Sequence, residues 1–429
     1  SGPARVALAL ALVVVLGATA TSVAGARRAA APPSPVDAWE VDVDAAGFEA
    51  IRMEGFDVLS IAARSRDTLR IGLALDATDV ERLHALGIEP RLWRDARGLT
   101  YAQTWDAIQQ EGGFTVYRSW DEEGGIRDEL HQLAADHPDI VKLVVYGQSV
   151  QGRDLLALKV TKDANTTQDG SNPATMYSAL QHAREWITIE TNRRLLHHIV
   201  EGYGTDPEIT QLLTDNEYWF IVAANPDGYQ FTFTEGRRLW RKNMRDNNGD
   251  GEIGNGDGVD LNRNFDANWN YDTEGSSGNP GSETYRGPTP ASEPETMELQ
   301  NLMGRIGFRF VVNYHSAAEL ILWPEGWQDQ TRTPDDPIYA ALAGSIPEPA
   351  IPGFQPMLSA GLYITNGETC DFAHTKADAL CYTPELSTPP DGGTFEFPDD
   401  EALIQAEFMN NLPFAMDIAR STNDPTQPS

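Results

Sequence analysis

Apolar residues fall into short alternating or continuous segments along the chain, and these segments predict strands separated by helices. In the first hundred residues, segments 39–43, 56–61 and 69–75 have the spacing of strands. Residues 46–53 predict one helix, and 80–86 predict a second that Asp76 to Asp79 begins and Gly87 ends. The pattern predicts a compact α+β module.

Longer apolar segments follow residue 117. Residues 125–137 and 191–203 predict helices, and 141–146, 155–160, 217–224 and 308–315 predict strands. The last two strands are apolar almost throughout, which is typical of a sheet whose two faces are both covered by helices. The sequence therefore predicts an α/β fold, a three-layer α/β/α domain with a mixed central sheet, preceded by the small α+β module.

The first 26 residues have the order of a secretory signal peptide. Arg5 precedes an apolar run over 6–16, and small residues end at Ala24-Gly25-Ala26. A membrane anchor is the alternative, but the run is shorter than the roughly 20 residues of a membrane span. We therefore expect residues 1–26 to be a signal peptide of a secreted protein, with no membrane as partner.

The charge is strongly acidic, with 32 Lys and Arg against 64 Asp and Glu and a net charge of -32. This balance disfavours nucleic acid and anionic membranes as partners. The two cysteines, Cys370 and Cys381, lie close together in the sequence. In an exported chain they could form a disulfide, and two buried thiols are the alternative.

Candidate metal ligands follow the apolar run at 174–180. His182 and Glu185 are three residues apart at a predicted strand-to-helix turn, from which both side chains could reach one metal ion. A catalytic zinc site requires a third protein ligand and an open position for water. His315 ends a buried-type strand, where ligands of open α/β sheets gather, so it is our third ligand. The alternatives are His131, His137 and His374.

Several further motifs occur in a fixed order. They are His-Ala-Arg-Glu-Trp at 182–186, Asn-Pro-Asp-Gly-Tyr at 225–229, Arg-Leu-Trp-Arg-Lys at 238–242, Gly-Val-Asp-Leu-Asn-Arg-Asn-Phe at 258–265, His-Ser at 315–316, Leu-Tyr at 362–363 and Thr-Pro-Glu-Leu at 383–386. With these motifs the chain resembles the zinc carboxypeptidases typified by pancreatic carboxypeptidases A and B, from about residue 117 to about 420.

The resemblance implies a hydrolase that acts on the C-termini of peptides and proteins, with one catalytic zinc ion. Its implied residues are Glu385 as general base, Arg241 for the oxyanion, Asp260 behind the first zinc histidine, Asn262, Arg263 and Tyr363 for the terminal carboxylate, and Arg184 in the substrate groove. These residue types suit the roles, since guanidinium groups bind carboxylates through paired hydrogen bonds.

The segments of the chain also predict a domain organisation, since the N-terminal module carries no cluster of catalytic residue types. Residues 36–94 become a prodomain, with an inhibitor or foldase as alternatives, and the polar, irregular segment 95–116 becomes a linker that an activating protease cuts. Residues 117–420 are the expected catalytic domain and 421–429 a disordered tail. We expect a monomer. Two rival functions are trimming of bacterial cell-wall peptides and a catalytically silent binding protein.

Specificity is expected to depend on Glu368 and Cys370. In the family, the residue that Cys370 matches lies at the base of the pocket for the terminal side chain. In a bacterial branch that includes carboxypeptidase T, which this chain resembles here, an acid at the position of Glu368 accompanies acceptance of both apolar and basic ends. We therefore expect broad or dual specificity.

An acidic loop joins Arg241 to Arg263. Asp246, Asn248, Asp250 and Asp257 occupy positions 1, 3, 5 and 12 of a calcium-loop spacing, with glycine at position 6. The loop predicts a structural calcium ion, and a solvated, turn-rich insertion is the alternative.

Overall fold

The N-terminal module is a four-stranded antiparallel sheet with two helices. The computed structural model describes residues 36–388 and 397–426, so the predicted signal peptide lies outside the described residues. The elements of the module are β1 (Asp37–Val43), α1 (Ala45–Met53), β2 (Asp57–Ala63), β3 (Leu69–Leu75), α2 (Ala77–Ala85) and β4 (Arg91–Leu92). The strand order is β2-β3-β1-β4, so β2 is an edge strand. An apolar core of the module's own includes Val41, Ile71 and Leu83, which confirms the predicted α+β unit.

The segment after the module contains a helix, α3 (Tyr101–Glu111), where the sequence predicted an irregular linker. Thr100 begins the helix, and its side chain and that of Gln103 each accept the other residue's backbone N–H in a capping box. Trp105 on this helix packs edge-on against Trp186 of the following domain, with ring centroids 5.6 Å apart. The polar composition concealed the helix because only one face of it is apolar.

The large domain alternates strands and helices. Its strands are β5 (Val141–Gln148), β6 (Asp154–Val160), β7 (Ala174–Ala179), β8 (Glu217–Ile221), β9 (Phe310–Ser316), β10 (Leu320–Trp323), β11 (Gly344–Ser345), β12 (Glu348–Pro349), β13 (Gln355–Leu358) and β14 (Leu380–Leu386). Its helices are α4 (Ile126–Asp136), α5 (Trp186–Gly202), α6 (Pro207–Asp215), α7 (Pro226–Thr232), α8 (Pro294–Ile306), α9 (Asp336–Ala343), α10 (Thr369–Ala377) and α11 (Glu401–Ser421). Short 3-10 turns occur at Leu261–Arg263 and Ser359–Gly361.

Eight strands form one mixed sheet in the order β13-β10-β14-β9-β7-β8-β6-β5. The four central strands β14, β9, β7 and β8 are mutually parallel, whereas β6 and β10 run antiparallel to their central neighbours. The carboxyl ends of the four parallel strands therefore meet at one edge of the sheet, which is where ligands bind in open α/β folds.

Helices cover both faces of this sheet. On one face α5 packs against α11, and on the other α8 packs against α10. Within β7, Tyr177 belongs to the core under α5, whereas Met176 belongs to the core under α8, because successive strand side chains point to opposite faces. The predicted three-layer α/β/α domain with its mixed sheet is confirmed.

The C-terminal helix extends past the predicted end of the domain at residue 420. Thr422 is buried, and its hydroxyl lies 2.8 Å from that of Thr175 on β7. Residues 421 and 422 thus belong to the packed domain and not to the predicted tail, whose last three residues lie outside the described ranges. In the described ranges no helix has the length and apolarity that crossing a bilayer requires.

Candidate active site

Three neighbouring parallel strands carry the candidate site at their carboxyl ends. β7 leads into the turn that holds His182, β9 carries His315 one residue before its end, and β14 carries Glu385 one residue before its end. Glu385 and His315 are register partners across β14 and β9. His182 and His315 are 133 residues apart in the chain, and His315 and Glu385 are 70 apart. They are nevertheless adjacent in space because the strands that carry them are parallel neighbours in the sheet.

The three predicted zinc ligands converge. His182 Nδ1 lies 2.7 Å from Glu185 Oε1, and His315 Nδ1 lies 3.1 Å from both His182 Nδ1 and Glu185 Oε2. All three side chains are buried. Of the residues that the structure describes, these form the only group of three or more His, Cys, Asp or Glu side chains with converging ligand atoms.

Neighbouring groups orient the two imidazoles for a metal ion. Asp260 Oδ1 lies 3.1 Å from His182 Nε2, so this nitrogen donates its proton and Nδ1 keeps a lone pair. His315 Nε2 lies 3.0 Å from Asn313 Nδ2 and 3.3 Å from Gln181 Oε1, and its Nδ1 faces His182 and Glu185. Burial lowers the pKa of His182, which favours the neutral ring. Two imidazole nitrogens and a carboxylate that face one point fit a cation such as zinc.

Asp260 also connects the metal-ligand cluster to Arg241. Its Oδ2 accepts hydrogen bonds from Arg241 Nε at 3.1 Å and Nη2 at 2.9 Å, and its Oδ1 accepts the backbone N–H of Asn262. Burial opposes ionisation, but Arg241 and His182 hold the pKa of Asp260 well below its usual value. One carboxylate thus fixes a ligand histidine, a guanidinium and the start of the 3-10 turn.

Arg263 is buried, at 3% exposure, and has no ion-pair partner among the described residues. Its Nη1 donates to the Asn262 carbonyl, and its Nε has no hydrogen-bond partner in the described part of the chain. Its guanidinium lies 5.8 Å from the centre of the Tyr363 ring. A buried cation without a carboxylate is costly, so this one is expected to serve an anionic ligand.

Glu385 faces the same cleft as the metal-ligand cluster, in a cavity that both line. Burial raises the pKa of Glu385 to about 7, although His315 opposes the shift. A carboxyl group with a pKa near neutrality can both accept and return a proton.

Arg184 lines the same cavity as Glu385 and is paired there with the N-terminal module. Its Nη2 lies 2.7 Å from Asp57 Oδ1, and its Nη1 makes a second short contact with Asp57 Oδ2. Asp57 begins β2, is buried, and also lies 3.6 Å from Arg241 Nη1. Sequence reasoning missed Asp57, since an acidic residue at the start of a strand has no local signature of a partner 127 residues away.

The region of the predicted specificity pocket contains a buried acidic pair. Glu368 Oε2 accepts hydrogen bonds from Thr365 and Ser359, while Glu368 Oε1 and Asp371 Oδ2 have no partner among described residues. Burial, and then the charge of Glu368, raises the pKa of Asp371. Cys370, between them, forms a disulfide with Cys381.

Among the described residues, the acidic loop gives no support to the predicted calcium site. Within the described part of the chain, the carboxylates of Asp246, Asp250 and Asp257 do not form a group whose oxygen atoms lie close enough together to share one ion. Asp257 is buried and accepts the backbone N–H groups of Asn247 and Gly254, while Asp246 accepts those of Gly249 and Gly251. The carboxylate at position 12 accepts hydrogen bonds from the loop's own backbone, as in the turn-rich alternative, and the calcium ion stays a prediction.

The alternative histidines lie away from the cluster. His131 is on α4 and His137 follows its end. His374, on α10, lies between Glu325 at 3.2 Å and Asp335 at 3.1 Å, with one carboxylate on each ring nitrogen. Such a histidine is held by ion pairs and has no nitrogen left for a metal.

Comparison with known proteins agrees with this geometry. A model of the zinc carboxypeptidase family matches residues 126–410. Carboxypeptidase A2 of Rattus norvegicus is 34% identical over 232 residues, which cover 53% of this chain and 51% of that protein. A zinc carboxypeptidase of Saccharothrix mutabilis subsp. capreolus is 31% identical over 282 residues, which cover 64% of this chain and 62% of that protein. The chain therefore spans from about half to less than two thirds of the length of these curated relatives.

Two solved structures share the fold over 91% of this chain. Carboxypeptidase A from Helicoverpa armigera has a TM-score of 0.71 at 22% identity, and 98% of its chain is covered. Thrombin activatable fibrinolysis inhibitor has a TM-score of 0.69 at 21% identity, with 99% of its chain covered. Both matches extend over the N-terminal module as well as the α/β domain, since 91% of the chain exceeds the length of the large domain.

Proposed function

Because the chain belongs to the zinc carboxypeptidase family, we propose that it hydrolyses the C-terminal peptide bond of peptides and proteins. The observation that carries this proposal is the buried guanidinium of Arg263, which has no ion-pair partner in the described part of the chain and lies beside a cluster suited to zinc. An enzyme that acts at a chain end must recognise a free carboxylate, and a preformed buried guanidinium does so through charge-assisted, paired hydrogen bonds. Asn262 and Tyr363 adjoin it and complete the proposed clamp.

The chemistry follows from the residues around the cluster. His182, Glu185 and His315 would hold a zinc ion, which supplies Lewis-acid chemistry at the scissile bond. Glu385 takes a proton from the attacking water and delivers it to the leaving amine. Arg241 donates hydrogen bonds to the oxyanion that develops on the carbonyl, and Asp260 holds its guanidinium for that role.

The chain is proposed to be a latent precursor of the enzyme, with residues 36–94 as its prodomain. Asp57 engages Arg184 and approaches Arg241, so the module occupies two groups that the substrate needs. An activating protease would cut between residues 95 and 116, and the exposed Arg97 turn and the Gly112-Gly113 pair flank α3 there. The disulfide between Cys370 and Cys381 suits an oxidising, extracellular location for a monomer.

Specificity for both apolar and basic terminal residues is the finer part of the proposal. Glu368 has one carboxylate oxygen without a partner among described residues, so a terminal lysine or arginine would satisfy it. Asp371, whose pKa burial raises, can share a proton with Glu368 when an apolar side chain is bound. The pocket would then accept both classes without leaving two buried charges unpaired.

The test is a peptide-release assay on the intact chain and on the chain after limited proteolysis, with zinc present. Release of single C-terminal residues from peptides with a free carboxylate, and not from the same peptides with C-terminal amides, is the expected result. Glu385→Gln keeps the shape of the site and should abolish release. Equal release by this variant, or release from amidated peptides at the same rate, would refute the proposal.

A further inference from the structure

Gln181, which directly precedes the first ligand histidine, lies at the centre of a buried chain of hydrogen bonds. Its side chain is buried and follows the end of β7. Its Oε1 lies 3.3 Å from His315 Nε2, the ring nitrogen that does not face the metal-ligand cluster. Its Nε2 donates to the Thr369 hydroxyl at 2.7 Å. One amide thus contacts a zinc-ligand candidate on one side and the start of α10 on the other.

The Nε2 atom of His315 requires an acceptor. A neutral histidine that binds zinc through Nδ1 carries its proton on Nε2. Among the described residues, three polar side chains contact this nitrogen. Asn313 and Asn262 present Nδ2, at 3.0 Å and 3.5 Å, and an amide nitrogen is a donor only. Gln181 presents an oxygen, so it suits the zinc-binding form of the ring, as Asp260 does for the first ligand histidine.

Asn313 fixes the orientation of the Gln181 amide. Asn313 Nδ2 donates to Gln181 Oε1 at 2.9 Å, a bond that the oxygen of the amide accepts. Asn313 Oδ1 has no hydrogen-bond partner in the described part of the chain. An Asn313 amide turned by half a rotation would place this oxygen against His315 Nε2. Asn313 is therefore the rival acceptor for that proton.

The other end of the chain reaches Asn262 of the proposed carboxylate clamp. Thr369 is buried, and its hydroxyl lies 2.8 Å from Asn262 Oδ1 and 2.9 Å from Gln181 Oε1, with one proton to donate. Since this hydroxyl accepts from Gln181 Nε2, and Asn313 already donates to Gln181 Oε1, its proton is assigned to Asn262. The backbone N–H of Thr369 donates to the same Oδ1 at 2.9 Å. Two bonds to Oδ1 leave Nδ2 of Asn262 as the donor for a ligand carboxylate.

We propose that Gln181 is a positioning residue that holds His315 for zinc and, through the Thr369 hydroxyl, holds Asn262 for the carboxylate of the substrate. The inference rests on the proposed function, which makes Asn262 part of the clamp. Gln181 acts from behind these groups and is not a catalytic residue. Because the chain of bonds is buried, an interruption leaves polar atoms unsatisfied, so the groups at its two ends lose their fixed orientation.

The first test is the zinc affinity of the intact chain, measured by competition with a chelating indicator and therefore independent of hydrolysis. Gln181→Met keeps the length of the side chain and removes the acceptor, so the Kd for zinc should rise about tenfold or more. Gln181→Glu keeps an oxygen for His315, so its zinc affinity should be no weaker than that of the unmodified chain. Gln230→Met is the matched control, because Gln230 on α7 accepts the backbone N–H of Asp121. It should leave the Kd unchanged.

Two results would overturn the role of Gln181 at His315. One is an unchanged Kd for zinc in folded Gln181→Met. If that variant does not fold, Gln181→Glu decides, since a Kd raised about tenfold there would contradict the proposal. The other concerns the rival acceptor: Asn313→Leu should weaken zinc binding less than Gln181→Met, and a greater loss would assign the role to Asn313.

The second test is peptide hydrolysis by the proteolysed, zinc-saturated chain. Thr369→Val removes the hydroxyl between Gln181 and Asn262 and keeps the shape of the side chain. It should raise KM for peptides with a free C-terminus several-fold with little change in kcat, because a contact that positions the substrate carboxylate is weakened. Thr369→Ser retains the hydroxyl and should retain the original KM. A lower Tm in Thr369→Val with an unchanged KM would show a merely structural role and overturn the link to Asn262.

The outcome is separable from that of the proposed function. If the proteolysed chain releases C-terminal residues normally but neither the zinc Kd nor KM responds to these variants, only the role of Gln181 fails. If the zinc Kd responds as expected but the unmodified chain hydrolyses no peptide, Gln181 still positions His315 and the proposed function fails.

Discussion

Asp57→Asn is the most informative single change, because it removes the one carboxylate with which the module reaches the active site. In the structure Asp57 accepts two hydrogen bonds from Arg184 and lies 3.6 Å from Arg241. Burial opposes its ionisation, yet the two guanidinium groups lower the pKa of Asp57. Asparagine has the same shape and retains one oxygen acceptor, so the change removes charge and little else.

The magnitude follows from the burial of the pair. Both side chains are almost completely buried, at 2% and 3% exposure, so solvent screening is weak. Removing one partner of a buried ion pair typically costs about 3–5 kcal/mol. Since asparagine keeps one hydrogen bond, we expect the closed form to lose stability at the lower end of this range, about 3 kcal/mol. At about 1.4 kcal/mol per tenfold change, the open population of the intact chain would rise roughly 100-fold.

The assay is the rate of C-terminal residue release by the intact chain, before and after limited proteolysis. We expect Asp57→Asn to raise the rate of the intact chain strongly and to leave the proteolysed chain unchanged. Asp42→Asn is the matched control, because Asp42 belongs to the same module but pairs with Arg70 and Arg91 away from the cleft. It should leave both rates unchanged.

The reasoning would be wrong if intact Asp57→Asn were as slow as the unmodified chain while proteolysis activated both equally. Inhibition would then come from steric coverage by β2, which lines the cleft beside the metal-ligand cluster through Val58, Leu59 and Ser60. A rise of similar size in Asp42→Asn would show that the module as a whole had been loosened, which also contradicts the specific role of Asp57.

Three other predictions concern separate groups. Arg263→Gln should lower kcat/KM for peptides with a free C-terminus by roughly 100-fold, since charge-assisted hydrogen bonds contribute about 1.5–3 kcal/mol each, and an unchanged value would exclude Arg263 as the clamp. Glu368→Gln should lower kcat/KM for terminal lysine and arginine at least tenfold relative to terminal leucine; parallel changes for all three substrates would count against the specificity assignment. Burial raises the pKa of Glu295 from 4.5 to about 7, so its contribution to stability is complete below pH 4.5 and is lost as the pH rises through 7. The free energy of unfolding is measured in urea at pH 5 and at pH 8 for the unmodified chain and for Glu295→Gln. Between these pH values it should fall by about 3 kcal/mol more in the unmodified chain than in the variant. A difference between the two proteins that is the same at both pH values would contradict the raised pKa.

Much of the site was predictable because its residues occupy recognisable local positions. His182 and Glu185 follow an apolar strand and precede a helix, and His315 lies one residue before the end of a second strand, so their proximity follows from a parallel sheet. The layered fold was predictable for a related reason, since strands that are apolar on both faces require helices on both sides. These are properties of short segments, and a sequence displays them directly.

Other features depend on which distant segments meet. Trp105 lies in a polar stretch, and its helix becomes recognisable only when the ring packs against Trp186. Asp257 has the position of a calcium ligand, yet its carboxylate caps the loop's own backbone. For Trp105 the local pattern was compatible with two structures, and long-range packing selected the helix. For Asp257 the structure adds the hydrogen bonds within the loop, and the calcium ion stays a prediction.

The sequence by itself determined the layered fold and the residues suited to hold zinc, because strand periodicity and ligand chemistry are local. Only the tertiary structure decided that Asp57 of the module pairs with Arg184 while Arg263 keeps no carboxylate partner among the described residues. The physical reason is that a buried charge must find its counter-charge wherever the folded chain places one, and separation in sequence does not reveal that place.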